Sequence, residues 1–356
     1  MSADVGTELL AAWWRFLPGA ALQGAIAILV VAAIDRMLPR RAPAELREAL
    51  WTLALCRLVL PPGLASPFGI AARVAPAWAV GPVAPLPAGG PPVWVFVLVA
   101  AWAVGTIAVA TTLAVKGLRL GARLRSLRRD PRPADLAALA RATNRLAHRR
   151  RVALFRLPGS GSPFVIGALR PAIYLPDGLR DDELEPVLLH ELAHVRRLDP
   201  LRRAAALSVH CLHWFHPLVP LARRRLADLA EPCSDRIVRR ALRGDTEPYR
   251  RTLLEAARRL VEEPAGIALL GAPSMMRLRM EVLVERDRPL RRRLLTGIAA
   301  LVLGLAVLPM AARADGGANA VAEWIERPPG CLKLRYLVLK RLAETSTDAA
   351  SSQTHP

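Results

Sequence analysis

His190-Glu-Leu-Ala-His194 is the stretch of this 356-residue chain around which the fold is predicted to form. Residues four apart lie on one face of an α-helix, so the two histidines can place imidazole nitrogens on one metal ion. Glu191 projects beside them, where its carboxylate can deprotonate a water molecule at the metal. The neighbouring residues are apolar, which predicts that the histidines are at least partly buried and need partners. The alternative is a pair of surface histidines beside a solvated glutamate.

A second acidic pair, Glu231 and Asp235, follows this motif. Their spacing places both on one face of a second helix. Glu231 can supply the third protein ligand of a hydrolytic zinc site, and Asp235 can accept the second N–H of a ligand histidine. Proline is tolerated in the first turn of a helix, so a helix that begins near Glu231 would accommodate Pro232 and keep the site. The predicted cofactor is Zn²⁺, held by His190, His194 and Glu231.

The composition indicates a membrane protein with one strongly basic segment. Hydrophobic residues make up 53% of the chain, which is high for a soluble protein. The formal net charge is +20, and most of the excess lies between Lys116 and Arg293. This distribution follows membrane topology and no DNA-binding motif accompanies it, so we expect contact with membrane lipid and no direct binding of nucleic acid. The four cysteines form no C-x-x-C pair, which leaves a cysteine zinc site unsupported.

Four apolar stretches are predicted to cross the membrane, at residues 16–34, 49–66, 93–115 and 294–312. The second is the weakest, because Arg57 is costly in hydrocarbon unless it faces other helices. The positive-inside rule places the basic segment in the cytoplasm and both termini outside the plasma membrane.

The predicted fold class is α+β. A four-helix transmembrane region carries an inserted, mainly helical domain with a small sheet. The membrane region comprises residues 1–115, followed by the cytoplasmic domain at 116–293, the fourth span at 294–312 and a short extracytoplasmic tail at 313–356. Strands are expected at 152–155, 164–166 and 171–176.

Several stretches together resemble one family of membrane enzymes. They are Arg47-Glu-Ala-Leu-Trp51, Ser162-Pro-Phe-Val-Ile-Gly167, the run from Glu185 to Pro200, His213-Trp-Phe-His-Pro217, and Glu231 to Asp235. The combination is similar to the integral-membrane zinc metallopeptidases that include the beta-lactam sensor-transducers, peptidase family M56. It is much more specific than the two histidines and glutamate alone.

The resemblance implies a gluzincin-type metallopeptidase domain clamped between membrane spans. It implies His190, His194 and Glu231 as zinc ligands and Glu191 as the catalytic general base. In the best-known members an external sensor detects an antibiotic, and the peptidase then cleaves a DNA-binding repressor. This tail holds no S-x-x-K, so no covalent beta-lactam sensor is expected, and Ser234 stands where cysteine is usual. The expected function is a zinc endopeptidase in signal transduction that cleaves a cytoplasmic protein, by analogy a transcriptional repressor.

Two other functions stay open. A quality-control peptidase for membrane proteins would share the zinc chemistry but cleave broadly. A catalytically inactive signalling scaffold would keep the fold without a bound metal. The oligomeric state is not predicted.

The histidines at 210, 213 and 216 share a helical spacing, and packing or hydrogen bonding is the preferred role over a second metal site. Asp199 could support a metal ligand, but a helix-ending residue before Pro200 is the preferred interpretation. The strand from Phe164 to Ile166 is a candidate edge to which an extended substrate could add.

Overall fold

The computed structural model describes most of the chain up to residue 283, namely residues 2–39, 42–61, 92–159, 161–243, 245–262, 279–280 and 282–283. These residues are mostly helical and carry one three-stranded sheet, as the sequence predicts. The predicted fourth span and the tail lie outside the described residues. The described residues divide into two compact units. The first lies within Met1–Ala33 and Leu53–Gly105, and the second within Ile34–Thr52 and Thr106–Ala300.

Helices α1 (Ser2–Met37) and α3 (Val93–Leu127) are the two described helices that are long and apolar enough to cross a membrane. In the first unit, edge-to-face tryptophan pairs join them. The ring centroids lie 5.8 Å apart for Trp13 and Trp102, and 5.3 Å apart for Trp14 and Trp94. Few residues in the apolar part of α3 are buried, as expected for a helix that faces lipid.

Helix α2 (Ala44–Arg57) is shorter than the span predicted at 49–66. Its 14 residues rise about 21 Å, which is less than a hydrocarbon core of about 30 Å. Arg57 donates hydrogen bonds to the carbonyl oxygens of Leu60 and Pro61, at 3.0 and 3.3 Å, and so holds the turn that follows the helix. The remainder of the predicted span, residues 62–66, lies outside the described residues.

The sheet belongs to the second unit and consists of β1 (Ala153–Leu157), β2 (Phe164–Ile166) and β3 (Ala172–Pro176). The strand order is β1-β3-β2, with β3 parallel to β1 and antiparallel to β2. Gly167 starts the turn from β2 to β3 with φ +103°, a conformation that L side chains rarely adopt. A Cβ there would lie 2.2 Å from the carbonyl oxygen of Arg170. Because β3 is the central strand, β2 forms an edge of the sheet.

Helix α5 (Asp181–Arg196) is the central helix of the second unit. It packs against α4 (Pro133–Leu146), β2 and α7 (Leu218–Ala241). Its start is stabilised by three acidic residues in the first turn, of which Glu183 accepts a hydrogen bond from the Arg180 backbone N–H at 2.9 Å. Leucines on several faces are fully buried, as expected for a helix surrounded by other elements: Leu184, Leu188, Leu189 and Leu192.

Two further helices are described in this unit, α6 (Asp199–Leu212) and α8 (Glu247–Glu262). Helix α7 does not begin near Glu231, the condition under which Pro232 would fall in a first turn. It begins at Leu218 and contains Pro232 in its interior. Proline removes only one helical N–H there, and the buried face of α7, which includes Val219, Ala222 and Leu229, stabilises the helix on both sides of it.

Candidate metal centre

Three potential metal ligands converge between helices α5 and α7. His190 and His194 lie one turn apart on α5, and their Nε2 atoms are 3.1 Å from each other. From α7, Glu231 reaches both rings, with Oε2 3.2 Å from His190 Nε2 and Oε1 3.6 Å from His194 Nε2. The interior position of Pro232 therefore does not turn Glu231 away from the histidines.

The spacing of these atoms fits a tetrahedral zinc ion. Bonds of about 2.0–2.1 Å to such an ion keep its ligand atoms about 3.3 Å apart. The two Nε2 atoms are 3.1 Å apart, and each ring has one oxygen of Glu231 near this spacing, Oε2 at 3.2 Å from His190 and Oε1 at 3.6 Å from His194. Three ligands leave a fourth position for a water molecule or substrate, which is the donor set of a hydrolytic site.

Carboxylates orient both imidazole rings. Asp235 Oδ1 lies 3.1 Å from His190 Nδ1, and the Tyr249 hydroxyl, which donates to Asp235 at 2.5 Å, has its oxygen 2.8 Å from the same nitrogen. Asp199 Oδ2 lies 2.7 Å from His194 Nδ1. Because both Nδ1 atoms have acceptors, each ring keeps its hydrogen there and presents Nε2 to the place where the three ligands meet.

The charges around the ligands stabilise a cation. Burial alone would lower the pKa of His190, but hydrogen bonds to Asp235 and Glu231 raise it to about 10. Burial would raise the pKa of Glu231, but its hydrogen bond to His190 holds that pKa well below its ordinary value. The site therefore favours a proton or a metal ion at the point where the ligand atoms meet, and a metal that binds there displaces the proton.

The Arg279 guanidinium places a positive charge beside the ligands. Its guanidinium donates to both oxygens of Asp235, at 2.8 and 3.0 Å, and its Nη1 lies 3.3 Å from Glu231 Oε2. Burial would raise the pKa of Asp235, but the charge of Arg279 lowers it. The Asp235 carboxylate therefore stays ionised and can accept the hydrogen on His190 Nδ1.

Glu191 lies next to His190 on α5 and is buried, with only 6% of its surface exposed. Among the described residues, no side chain donates a hydrogen bond to it. A carboxylate in this state keeps its lone pairs available to accept a proton from a water molecule.

The interpretation of Asp199 as a helix-ending residue is wrong. Helix α5 ends at Arg196, and Asp199 is the first residue of α6. Leu198, with φ 60°, makes the sharp turn between the helices and directs the Asp199 carboxylate back toward His194. The spacing of five residues between Asp199 and His194 gave no helical signal for this contact.

The histidines at 210, 213 and 216 do not join the cluster. His213 and His216 are almost fully buried, and His216 Nδ1 accepts a hydrogen bond from the backbone N–H of Leu218 at 3.2 Å. Across the ranges that the structure describes, only His190, His194 and Glu231 converge as a group of three possible ligands.

Two buried histidines and a half-buried glutamate, in a helical chain with two candidate membrane helices, fit a membrane-associated metallopeptidase. The sequence pattern of the family described as "BlaR1 peptidase M56" matches residues 15–283, so the chain belongs to that family. It is also similar to the "Regulatory protein BlaR1" of Bacillus licheniformis, at 29% identity over 123 residues. The similar stretch covers 34% of this chain and 20% of that relative, so it spans about a fifth of the relative's length. The family resemblance read from the sequence is confirmed, and membership implies a metallopeptidase.

Proposed function

We propose that this protein is a membrane-embedded zinc endopeptidase with four membrane spans. The cytoplasmic domain would comprise residues 116–293, with both termini extracytoplasmic. Support comes from the two apolar helices α1 and α3 and from the basic residues that begin at Lys116.

In the proposed site, His190, His194 and Glu231 bind the zinc ion, while Asp235 and Asp199 hold the imidazole rings. When bound, zinc lowers the pKa of water and polarises a peptide carbonyl. Glu191 takes a proton from the attacking water on its carboxylate and returns it to the departing amine nitrogen. Burial of the ligands keeps bulk water away and strengthens these charge interactions.

The observation that carries this proposal is the convergence of two Nε2 atoms and one carboxylate at tetrahedral spacing. The test compares the unaltered full chain with Glu191→Gln and Glu231→Gln, purified in detergent. We expect Glu191→Gln to retain one zinc ion but lose proteolysis, and Glu231→Gln to lose both. Equal proteolysis by the unaltered chain and Glu191→Gln would exclude the proposed general base.

The proposed substrate is a cytoplasmic protein, a transcriptional repressor by analogy with the regulatory role in the relative's name. Edge strand β2 packs against α5, the helix that carries His190 and His194, so an extended peptide that adds to β2 would lie near that helix. Phe164 stacks on Tyr174 of β3, with ring centroids 5.3 Å apart, which holds this edge in place.

The substrate proposal is tested with Val165→Pro, which disrupts the edge. Cleavage should be lost while zinc content stays normal, and unchanged cleavage would count against binding at β2. Broad cleavage of misfolded membrane proteins, in place of one defined target, would indicate a quality-control peptidase.

A further inference from the structure

The sequence Arg47-Glu-Ala-Leu-Trp51 on α2 uses two faces of the helix. Arg47 and Trp51, one turn apart, both donate to the carboxylate of Asp35 at the end of α1, with the tryptophan Nε1 3.1 Å from Oδ2. This face holds the connection between α1 and α2. Glu48 lies on another face and is buried, although no zinc chemistry described above requires it.

A row of alternating charges runs from Glu48 through Arg197 and Asp199 to the proposed metal ligand His194. Glu48 accepts a hydrogen bond from Arg197 Nη2. Arg197 Nε in turn lies 3.2 and 3.1 Å from the two oxygens of Asp199. Asp199 Oδ2 is the acceptor 2.7 Å from His194 Nδ1. All these side chains belong to the second unit, and each exposes at most 11% of its side-chain surface.

We propose that Glu48 is a positioning residue for the zinc ligand His194, acting through Arg197 and Asp199. This proposal rests on the zinc site put forward above. Asp199 divides its acceptor capacity between Arg197 and His194, so the strength of its hydrogen bond to His194 depends on how Arg197 is held.

The physical reason is charge balance in a buried row. Glu48 draws the Arg197 guanidinium toward α2 and offsets its charge, and the same carboxylate oxygen also accepts a hydrogen bond from the exposed Arg202 at 2.9 Å. Without that charge, the guanidinium would interact more strongly with Asp199, which would then be a weaker acceptor for His194. A weaker acceptor makes the imidazole less basic and less well oriented, and metal affinity falls. Helix α2 thereby acquires an electrostatic link to the catalytic site.

A second ion pair on the same helix provides a matched control. Glu45 accepts a hydrogen bond from Arg236 of α7, so it also joins α2 to the helices of the second unit. Its ion pair is with Arg236, not with Arg197 or the residues that hold His194. A general loosening of α2 would follow from Glu45→Gln as well as from Glu48→Gln, whereas a change at His194 would follow only from the latter.

The experiment measures zinc affinity by chelator competition on the full chain in detergent, with Co²⁺ absorption as a second report of ligand geometry. We expect Glu48→Gln to weaken zinc binding roughly three- to tenfold and to alter the Co²⁺ spectrum, while Glu48→Asp partly restores both. Glu45→Gln should leave both unchanged. Arg197→Lys provides a second variant in case Glu48→Gln does not fold, and it should also weaken zinc binding because an ammonium lacks the planar fork that bridges two carboxylates.

Two results would overturn the proposal, and they differ. If the unaltered chain binds zinc and Glu48→Gln binds it equally well with an unchanged Co²⁺ spectrum, Glu48 has no positioning role and the proposed function stands. If the unaltered chain binds no zinc, the proposed function fails and this inference fails with it.

Discussion

Asp235→Asn tests the electrostatics around His190. The carboxylate is fully buried, and it holds His190 Nδ1 at 3.1 Å and the Arg279 guanidinium at 2.8 and 3.0 Å. An amide of the same shape keeps one acceptor oxygen but loses the second, to which Arg279 Nε donates, and it carries no negative charge to balance the guanidinium. Removal of one partner from a buried ion pair costs about 3–5 kcal/mol, because the other charge stays buried without compensation.

Zinc affinity should fall as well. Loss of a carboxylate that orients a ligand histidine weakens metal binding about 10- to 100-fold, which corresponds to roughly 1.4–2.7 kcal/mol. The assay is chelator competition together with thermal unfolding of the metal-free chain. Asp177→Asn is the control, because the pair of Asp177 with Arg129 is largely exposed and contributes at most about 1 kcal/mol. A zinc affinity for Asp235→Asn within about twofold of the unaltered chain would refute the reasoning.

Two further predictions concern stability. Burial alone would raise the pKa of Asp135, but hydrogen bonds from Arg156 lower it from 3.8 to about 2. A carboxylate with a lowered pKa stabilises the fold above its unfolded pKa, so the stability difference between the unaltered chain and Asp135→Asn should shrink by about 2 kcal/mol as pH falls from roughly 4 to 2. Thermal unfolding across that range checks it, and a constant difference would contradict it. Gly167→Ala should destabilise the second unit by more than about 1 kcal/mol in denaturant unfolding, because the new Cβ would meet the Arg170 carbonyl in a strained turn. The control Gly161→Ala meets open space and should change stability by less than about 0.5 kcal/mol, and equal effects would argue against the turn geometry.

The parts of the fold that sequence periodicity encodes were predictable. The apolar helix around His190 and His194 and the short strands near residues 153–157, 164–166 and 172–176 all have local patterns. Helical spacing predicted that Glu231 and Asp235 lie on one face of a helix. The start of that helix could not be predicted, because Pro232 is a strong local signal against a helix interior. Packing of the residues before Pro232 overrides that signal.

The groups that surround the ligands had no local signal. Tyr249 and Arg279 lie 59 and 89 residues from His190 along the chain, and only the tertiary fold brings them to it. Asp199 stood out in the sequence as a residue close to the histidines, but Pro200 directly after it favoured a role at the end of a helix. Glu48 reaches Arg197 across 149 residues, so its contact could be found only in three dimensions.

X-ray absorption at the zinc edge, on the zinc-loaded full chain, tests the central claim most directly. We predict that the atoms bound to zinc are nitrogen and oxygen at about 2.0–2.1 Å, and that the spectrum shows the scattering of two imidazole rings. Buried Cys233 lies two positions from Glu231, so a sulfur ligand at about 2.3 Å is the alternative that the measurement separates most clearly. A sulfur-containing shell, or a shell with fewer than two imidazoles, would contradict the assignment of His190, His194 and Glu231.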